Sequence, residues 1–246
     1  MSDYFSKVRL RSRFEMSAAD RRWLREISLR EEAHLDHGLI WKLFQSNGAV
    51  RGFVFRRELL HSGELKKGQG YLIVSERRPD AGSIFVVESK PYAPRISVGE
   101  ILCFDLRANP VVNRREGKKS RRHDVLMDAK KRCDNAASRT DAMYRAALDW
   151  LLRHAKKWGL EIHEKSVLMK GYRQHSFLGR DKRVSFSVLD YSGLATVVNP
   201  EELLRALTRG VGYERSYGCG LLLVRRMERS LDEFQNTRPS AASLRN

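Results

Sequence analysis

The sequence reads as an α+β protein made of two similar halves. Three observations carry that reading. Runs with a period of two stand beside stretches whose apolar residues recur every three or four positions, without the regular strand-helix alternation of a parallel sheet. The 246 residues are enough for two packed units of about 120 residues each. A charged stretch poor in apolar residues, 113–140, lies between them.

In the first half, Tyr4, Ser6, Val8 and Leu10 alternate with Phe5, Lys7 and Arg9, which predicts a strand. Ser17 predicts a helix N-cap ahead of Ala18–Ile27, an amphipathic segment with Trp23, Leu24 and Ile27. From Ser28 to Phe44 the spacing of Ala33, His37, Ile40, Trp41 and Phe44 predicts a second helix, ended by Ser46-Asn47-Gly48. Gly52–Arg57, Gly70–Ser75 and Ser83–Glu88 are short β-branched or aromatic runs bounded by turn residues. Glu100–Leu106 is a further strand, closed by Ala108-Asn109-Pro110. Residues 1–112 therefore read as β-α-β-β with a closing strand, the plan of a ferredoxin-like unit.

Residues 113–140 read as a basic linker or loop: Arg114 to Arg132 holds nine Lys/Arg against three acids, a net of +6. The second half, 141–227, opens with a helix over Asp141–Trp158, stopped at Gly159. Leu160–Met169 and Val184–Leu189 predict strands around a cationic hairpin tip, Lys170–Arg183, with Tyr172 and Phe177 interleaved. Ala195–Val198 predicts another strand and Asn199-Pro200-Glu201 the start of a helix through Leu207. A glycine-rich loop, Gly210–Gly220, precedes a last strand at Leu221–Val224. Residues 228–246 are polar and aperiodic, and a disordered tail is expected there. The whole is thus expected to be a tandem ferredoxin-like (RRM-like) protein with antiparallel sheets.

The charge points to a partner. With 47 Lys+Arg against 30 Asp+Glu the net charge is +17. Such an excess repels itself in a compact state and suits a polyanion, nucleic acid first and an acidic membrane surface second. No apolar run reaches the length of about 18 residues that spans a bilayer, so no membrane partner is expected. Cys103, Cys133 and Cys219 are odd in number and widely spaced, which argues against a disulfide framework and for a reducing compartment. The start, MSDYFSKVRLRSRF, lacks an apolar secretory core, and a cytoplasmic location is expected.

Two features carry chemistry. Gly210, Gly212, Gly218 and Gly220 do not form a dinucleotide fingerprint, because a helix precedes them and a strand follows. They read either as a structural turn or as close-approach backbone with amides for phosphate, flanked by Arg209 and Arg215. His34 and His37 share a helix face. They read as packed and exposed structural histidines, as a Glu31-His34-His37 metal set lacking the usual spacing, or as acid/base groups. An imidazole can take a proton from a ribose 2′-OH or give one to a leaving 5′-oxygen without a metal.

The motifs together bring in a family. His37-Gly38-Leu39-Ile40-Trp41-Lys42-Leu43-Phe44, after the strand with Ser6-Lys7-Val8, resembles a His-x-x-Leu-Trp-x-Leu-Phe pattern. Phe104-Asp105-Leu106-Arg107-Ala108-Asn109-Pro110 and the glycine loop from Gly210 to Leu222 match two further segments. In this order the three resemble the CRISPR repeat-RNA endoribonucleases of the type I-E system, the CasE family. That resemblance implies a tandem ferredoxin-like fold and metal-independent cleavage of the repeat hairpin in precursor CRISPR RNA, with no cofactor. It implies a 2′,3′-cyclic phosphate and a 5′-hydroxyl as products, retention of the mature RNA and assembly with other Cascade subunits. The family's catalytic histidine falls on His37, and the hairpin that the family places against the RNA stem falls on Lys170–Arg183, which makes Arg173, Arg180, Lys182 and Arg183 the RNA-contact candidates. Many members carry a Tyr one turn earlier, where this chain has His34, which is expected to act as an acid or orienting group in its place. A non-catalytic RNA-hairpin-binding protein with structural histidines is the alternative.

Overall fold

The computed structural model describes residues 3–44, 52–60, 68–117, 119–179 and 182–227. The first sheet holds β1 (Asp3–Leu10), β2 (Phe53–Leu60), β3 (Gly68–Ser75) and β4 (Phe85–Tyr92) in the antiparallel order β2-β3-β1-β4. The alternation in β1 divides as its period requires. Ser6 and Val8 are buried, while Phe5 joins a separate cluster with Val54, Val74 and Leu221. Two helices cover one face: α1 (Ala18–Ile27), capped by Ser17 Oγ accepting from the Asp20 amide, and α2 (Glu32–Lys42).

Helix α2 starts later than its apolar spacing predicts. The Glu31 carboxylate caps it by accepting the Ala33 amide at 2.9 Å. Its predicted stripe also divides. Leu39, Ile40 and Leu43 sink into the first core, whereas His37 and Trp41 stay half-buried. The helix lies between two packing partners, the first sheet and the second half, so its buried face is wider than one stripe. The predicted stop at Ser46-Asn47-Gly48 lies outside the described residues.

The second sheet corrects the expected boundary at 112. β5 (Ile101–Ala108), counted with the first half, pairs antiparallel with β10 (Arg183–Val197) and β11 (Leu222–Arg226). The order is β11-β5-β10-β8, with β8 (Leu160–Ile162) and β9 (Leu168–Leu178) pairing successive stretches of β10. Leu102, Phe104 and Leu106 of β5 enter the core of the second half, which therefore begins near residue 101, not 141. Alternation declares a strand but not the sheet it joins. Numbered within each half, both sheets have the strand order of a β-α-β-β-α-β unit, and the fold is tandem ferredoxin-like. The first half departs from that plan, since a loop, 76–84, joins β3 to β4 without a helix.

The expected linker is also corrected. Its residues form a two-stranded ribbon, β6 (Val111–Glu116) and β7 (Lys119–Asp124), and a helix, α3 (Val125–Arg132). Asp124 caps α3 at the Met127 amide, 2.7 Å, and Val125, Leu126 and Ala129 are buried. The ribbon lies outside both main sheets and has no apolar side to betray it. Asp128 meets Arg114 and Arg132 at 2.7 and 2.5 Å, so the charges pair locally.

Helix α4 (Arg139–Ala155) runs through a 3-10 turn to Gly159, whose φ of 73° suits only glycine well, as an added Cβ would meet the Asn199 carbonyl oxygen at 2.1 Å. The strand expected over Leu160–Met169 is broken by a 3-10 turn at Glu164–Ser166. Conversely, Val184–Leu189 and Ala195–Val198 belong to one strand, β10, except Val198, which lies just past its end. Gly193 marks no turn: an added Cβ there would lie 3.1 Å from Phe104 and Ser166. Asn199 caps α5 (Pro200–Arg209), accepting from the amides of Glu201 and Glu202. The halves meet where Phe5, Val54, Leu72, Val74 and Tyr92 pack with Leu221 and Leu223, and Arg56 of β2 reaches Asp105 of β5 at 2.5 Å. Among the described residues no helix is long and apolar enough to cross a membrane, and all three cysteines are free.

His154 of α4 stacks on Trp150 at 4.5 Å and donates from Nδ1 to the Trp150 carbonyl at 2.7 Å. Burial holds its pKa below the ordinary 6.5, with Lys157 and Arg153 adding to the effect. The unfolded chain thus takes up this proton at a higher pH than the folded one. The contribution is present above about pH 6.5 and lost as pH falls through the lowered folded value. Urea unfolding is expected to show stability falling from pH 7 to pH 5, with a smaller loss in His154→Gln.

Candidate active site and nucleic-acid interface

His37 stands at mid-helix on α2, and its orientation comes from the other half of the chain. Its Nδ1–H donates to the Ser216 carbonyl at 3.0 Å, across 179 residues of sequence. A carbonyl can only accept, so the proton sits on Nδ1 and the basic lone pair on Nε2. The ring is flanked by Trp41 and Tyr217, at centroid distances of 5.8 and 5.3 Å. Ser216 lies in a 3-10 turn, Arg215–Tyr217, inside the glycine loop. No side-chain pattern could have flagged Ser216, because it acts through its backbone.

The glycines shape that loop. Gly220, with a φ of 84°, would place a Cβ 2.2 Å from the Val211 carbonyl oxygen, and Gly210 would place one 2.7 Å from Val54. Their amides are already committed, Gly210 to the Ala206 carbonyl and Gly220 to that of Arg107. The expectation of phosphate-binding amides is therefore corrected at Gly210 and Gly220, which are structural. A Cβ added at Gly218 would lie 3.5 Å from Phe55, and of the four only Gly212 has open space around it.

The Arg107-Ala108-Asn109-Pro110 segment has a physical reason. Arg107 and Asp190 are directly opposed across β5 and β10, and the guanidinium grips the carboxylate in two bonds of 2.7 and 2.9 Å. The same residue's carbonyl accepts the Gly220 amide at 2.7 Å. Asn109, buried, donates to the Ser187 carbonyl at 2.7 Å. The segment fastens the glycine loop to the centre of the second sheet.

His34 lies one turn before His37. It stacks on Phe177 at 5.0 Å, and the Arg30 guanidinium reaches its Nε2 at 3.5 Å. Burial, then the Arg30 charge, lowers its pKa below 6.5, so at neutral pH it is an uncharged ring. Phe177 continues into Tyr217 and Phe186, and a buried cluster of Ala33, Phe177, Phe186, Val188 and Cys219 joins α2 to the basic hairpin. Glu31 does not converge with the two histidines: it caps α2 and pairs with His175 at 2.5 Å. Among the described residues no group of three or more His, Cys, Asp or Glu could hold a metal ion.

Beside this site an open groove of about 1160 Å³ runs between the β6–β7 ribbon with α3 and the β9–β10 hairpin. Lys182 and Arg183 line it, as does Phe186, which packs on Tyr217. Arg173 is exposed on β9 and outside that lining, while Arg180 lies outside the described residues. Arg209 pairs with Glu76, and Arg215 donates to the Arg209 carbonyl at 2.7 Å, so these two brace the loop. The groove's opposite wall holds Arg121, Arg122 and Lys131. These were hidden in the segment read as linker, where the +6 was visible but not its fold.

The elements assembled here are those of a tandem ferredoxin-like protein with an oriented imidazole next to a cationic groove. A family model described as "CRISPR associated protein" matches residues 4–226, and the chain belongs to that family. It is 28% identical over 193 residues to the CRISPR system Cascade subunit CasE of Escherichia coli (strain K12), covering 76% of this chain and 88% of that protein. The fold is similar to that of Thermus thermophilus Cse3 bound to an RNA representing a pre-cleavage complex, with a TM-score of 0.64, 23% identity, and 92% and 100% of the two chains covered. It is also similar to Cas6e of Escherichia coli K-12, with a TM-score of 0.59, 22% identity, and 91% and 100% covered.

Removing the Arg107 guanidinium leaves Asp190 in a mostly buried place without its partner. Arg107→Ala is expected to cost about 2–4 kcal/mol in urea unfolding. A cost below 1 kcal/mol would mark the pair as an ordinary surface contact.

Proposed function

We propose that the chain is an endoribonuclease that cleaves the repeat hairpin of precursor CRISPR RNA, keeps the mature RNA bound and joins other Cascade subunits in antiviral defence. A Cascade subunit among its relatives and RNA-bound endoribonucleases among its fold neighbours support this substrate and setting. The three free cysteines suit a reducing, cytoplasmic place of action.

One observation carries the chemistry: the Nδ1–H bond to Ser216 that leaves the basic lone pair on Nε2 of His37. In the proposed step Nε2 takes the proton from a ribose 2′-OH. The 2′-oxygen attacks the adjacent phosphorus, the bond from phosphorus to the 5′-oxygen breaks, and a proton passes to that leaving oxygen. The products are a 2′,3′-cyclic phosphate and a 5′-hydroxyl. The nucleophile belongs to the RNA, so the step is proposed to proceed without a metal. The Ser216 carbonyl dipole faces the imidazole and favours its positive charge after proton uptake. His34, neutral, orients the reacting groups. Lys182 and Arg183 with Arg121 and Arg122 hold duplex RNA by shape and phosphate from two walls of the groove, with Arg173 and Arg180 extending the hairpin's contact.

Cleavage of a repeat hairpin by His37→Ala is expected to fall by at least about 100-fold, with binding retained and the wild-type rate unchanged by EDTA. Mapping the fragment ends should give the cyclic phosphate and 5′-hydroxyl. Unchanged cleavage by His37→Ala, or loss of wild-type cleavage in EDTA, overturns the mechanism. His34→Ala is expected to slow single-turnover cleavage by about 10- to 100-fold, with part of the loss recovered in His34→Tyr. Wild-type speed in His34→Ala removes His34 from the reaction.

A further inference from the structure

The turn that orients His37 is held from outside by the β6–β7 ribbon. Arg122 of β7 lies over the Tyr213 ring, 4.7 Å from guanidinium carbon to ring centroid. Its Nη1 is 3.9 Å from Glu214 Oε1. Glu214, with a φ of 53°, is the only non-glycine residue of positive φ among the described residues, a conformation disfavoured for any side chain with a Cβ. It opens the turn that presents Ser216, and its carbonyl accepts the amides of Tyr217 at 2.9 Å and Cys219 at 3.4 Å. Burial raises the pKa of its carboxyl, and the Arg122 charge opposes that rise.

Arg122 also faces the groove. Its side chain is 51% exposed and lines the cavity together with Glu214. A guanidinium has five N–H donors in a planar fork, enough to serve a carboxylate, an aromatic face and a phosphate together. We propose that Arg122 is a positioning residue: it props the Glu214 corner against Tyr213, and an RNA phosphate entering the groove binds the same guanidinium and stiffens the turn that aims His37. Substrate in the groove thereby completes the orientation of the imidazole. The role in cleavage rests on the endoribonuclease reading, whereas the grip on the turn does not.

The test uses the full-length protein with Arg122→Ala and Arg122→Lys. At saturating repeat hairpin, the single-turnover rate of Arg122→Ala is expected to fall by about 10- to 100-fold, the scale of a misplaced catalytic group. A residue that only touched phosphate would weaken binding and leave the saturated rate alone. Arg122→Lys keeps the charge without the planar face, so it is expected to recover binding more than rate. In RNA-free protein, imidazole ¹⁵N shifts should show His37 protonated at Nδ1 in the wild type and losing that bias in Arg122→Ala. Thermal melting establishes that the variants fold; should Arg122→Ala not fold, Arg122→Lys and Tyr213→Leu carry the same measurements. A wild-type saturated rate together with a wild-type ¹⁵N pattern overturns the proposal even where His37→Ala is inactive. Should His37→Ala cleave normally, the endoribonuclease mechanism falls, and the ¹⁵N pattern alone then decides whether Arg122 holds the turn.

Discussion

The hydrogen bond from His37 to the Ser216 carbonyl depends on nearly everything else in the molecule. It joins a helix of the first half to a loop of the second, and it needs both at a fixed separation. A carbonyl cannot swivel to find a donor as a side chain can. Its position is set by the backbone on either side, here a corner at Glu214 and a glycine at 218, both of positive φ. The Arg107 carbonyl and the Val54 side chain close around the two ends of that loop. The orientation of one imidazole is thus distributed over two sheets.

The same dependence explains why the interface between halves mixes apolar and ionic contacts. Val54 and Val74 with Leu221 form a dry seam, while Arg56 ties β2 to Asp105. Apolar burial supplies attraction but little direction, and directed bonds fix where the surfaces come to rest. The aromatic chain from His34 through Phe177 and Tyr217 to His37 repeats the scheme nearer the site. Flat rings tolerate small displacements, and the bond to Ser216 does not.

Much of this was legible in the sequence, and what was hidden was hidden for definable reasons. The end of β1, the Ser17 cap of α1, the Asn199 cap of α5 and the stop at Gly159 were declared by local chemistry and lie where that chemistry put them. Strand β5 was visible but assigned to the wrong sheet, since partner choice is non-local. The β6–β7 ribbon was invisible as structure because arginines occupy both of its faces, and with it went one wall of the groove. Val184–Leu189 and Ala195–Val198 read as two strands although β10 runs through both, with Gly193 at a close approach to Phe104 and Ser166. In the site, His37 and the basic hairpin were readable as side chains, whereas the contribution of Ser216 carries no side-chain signature.

The 179-residue gap between His37 and Ser216 has a temporal meaning as well. During synthesis the histidine is made early and its orienting carbonyl late. Chains grow at about 5–20 residues per second and fold from the N-terminus onward. The first half can therefore emerge and collapse while the imidazole still has no fixed tautomer or aim. An incomplete chain, arrested or broken before the glycine loop, carries the imidazole without its alignment. The aim of His37 is in this way acquired late in synthesis.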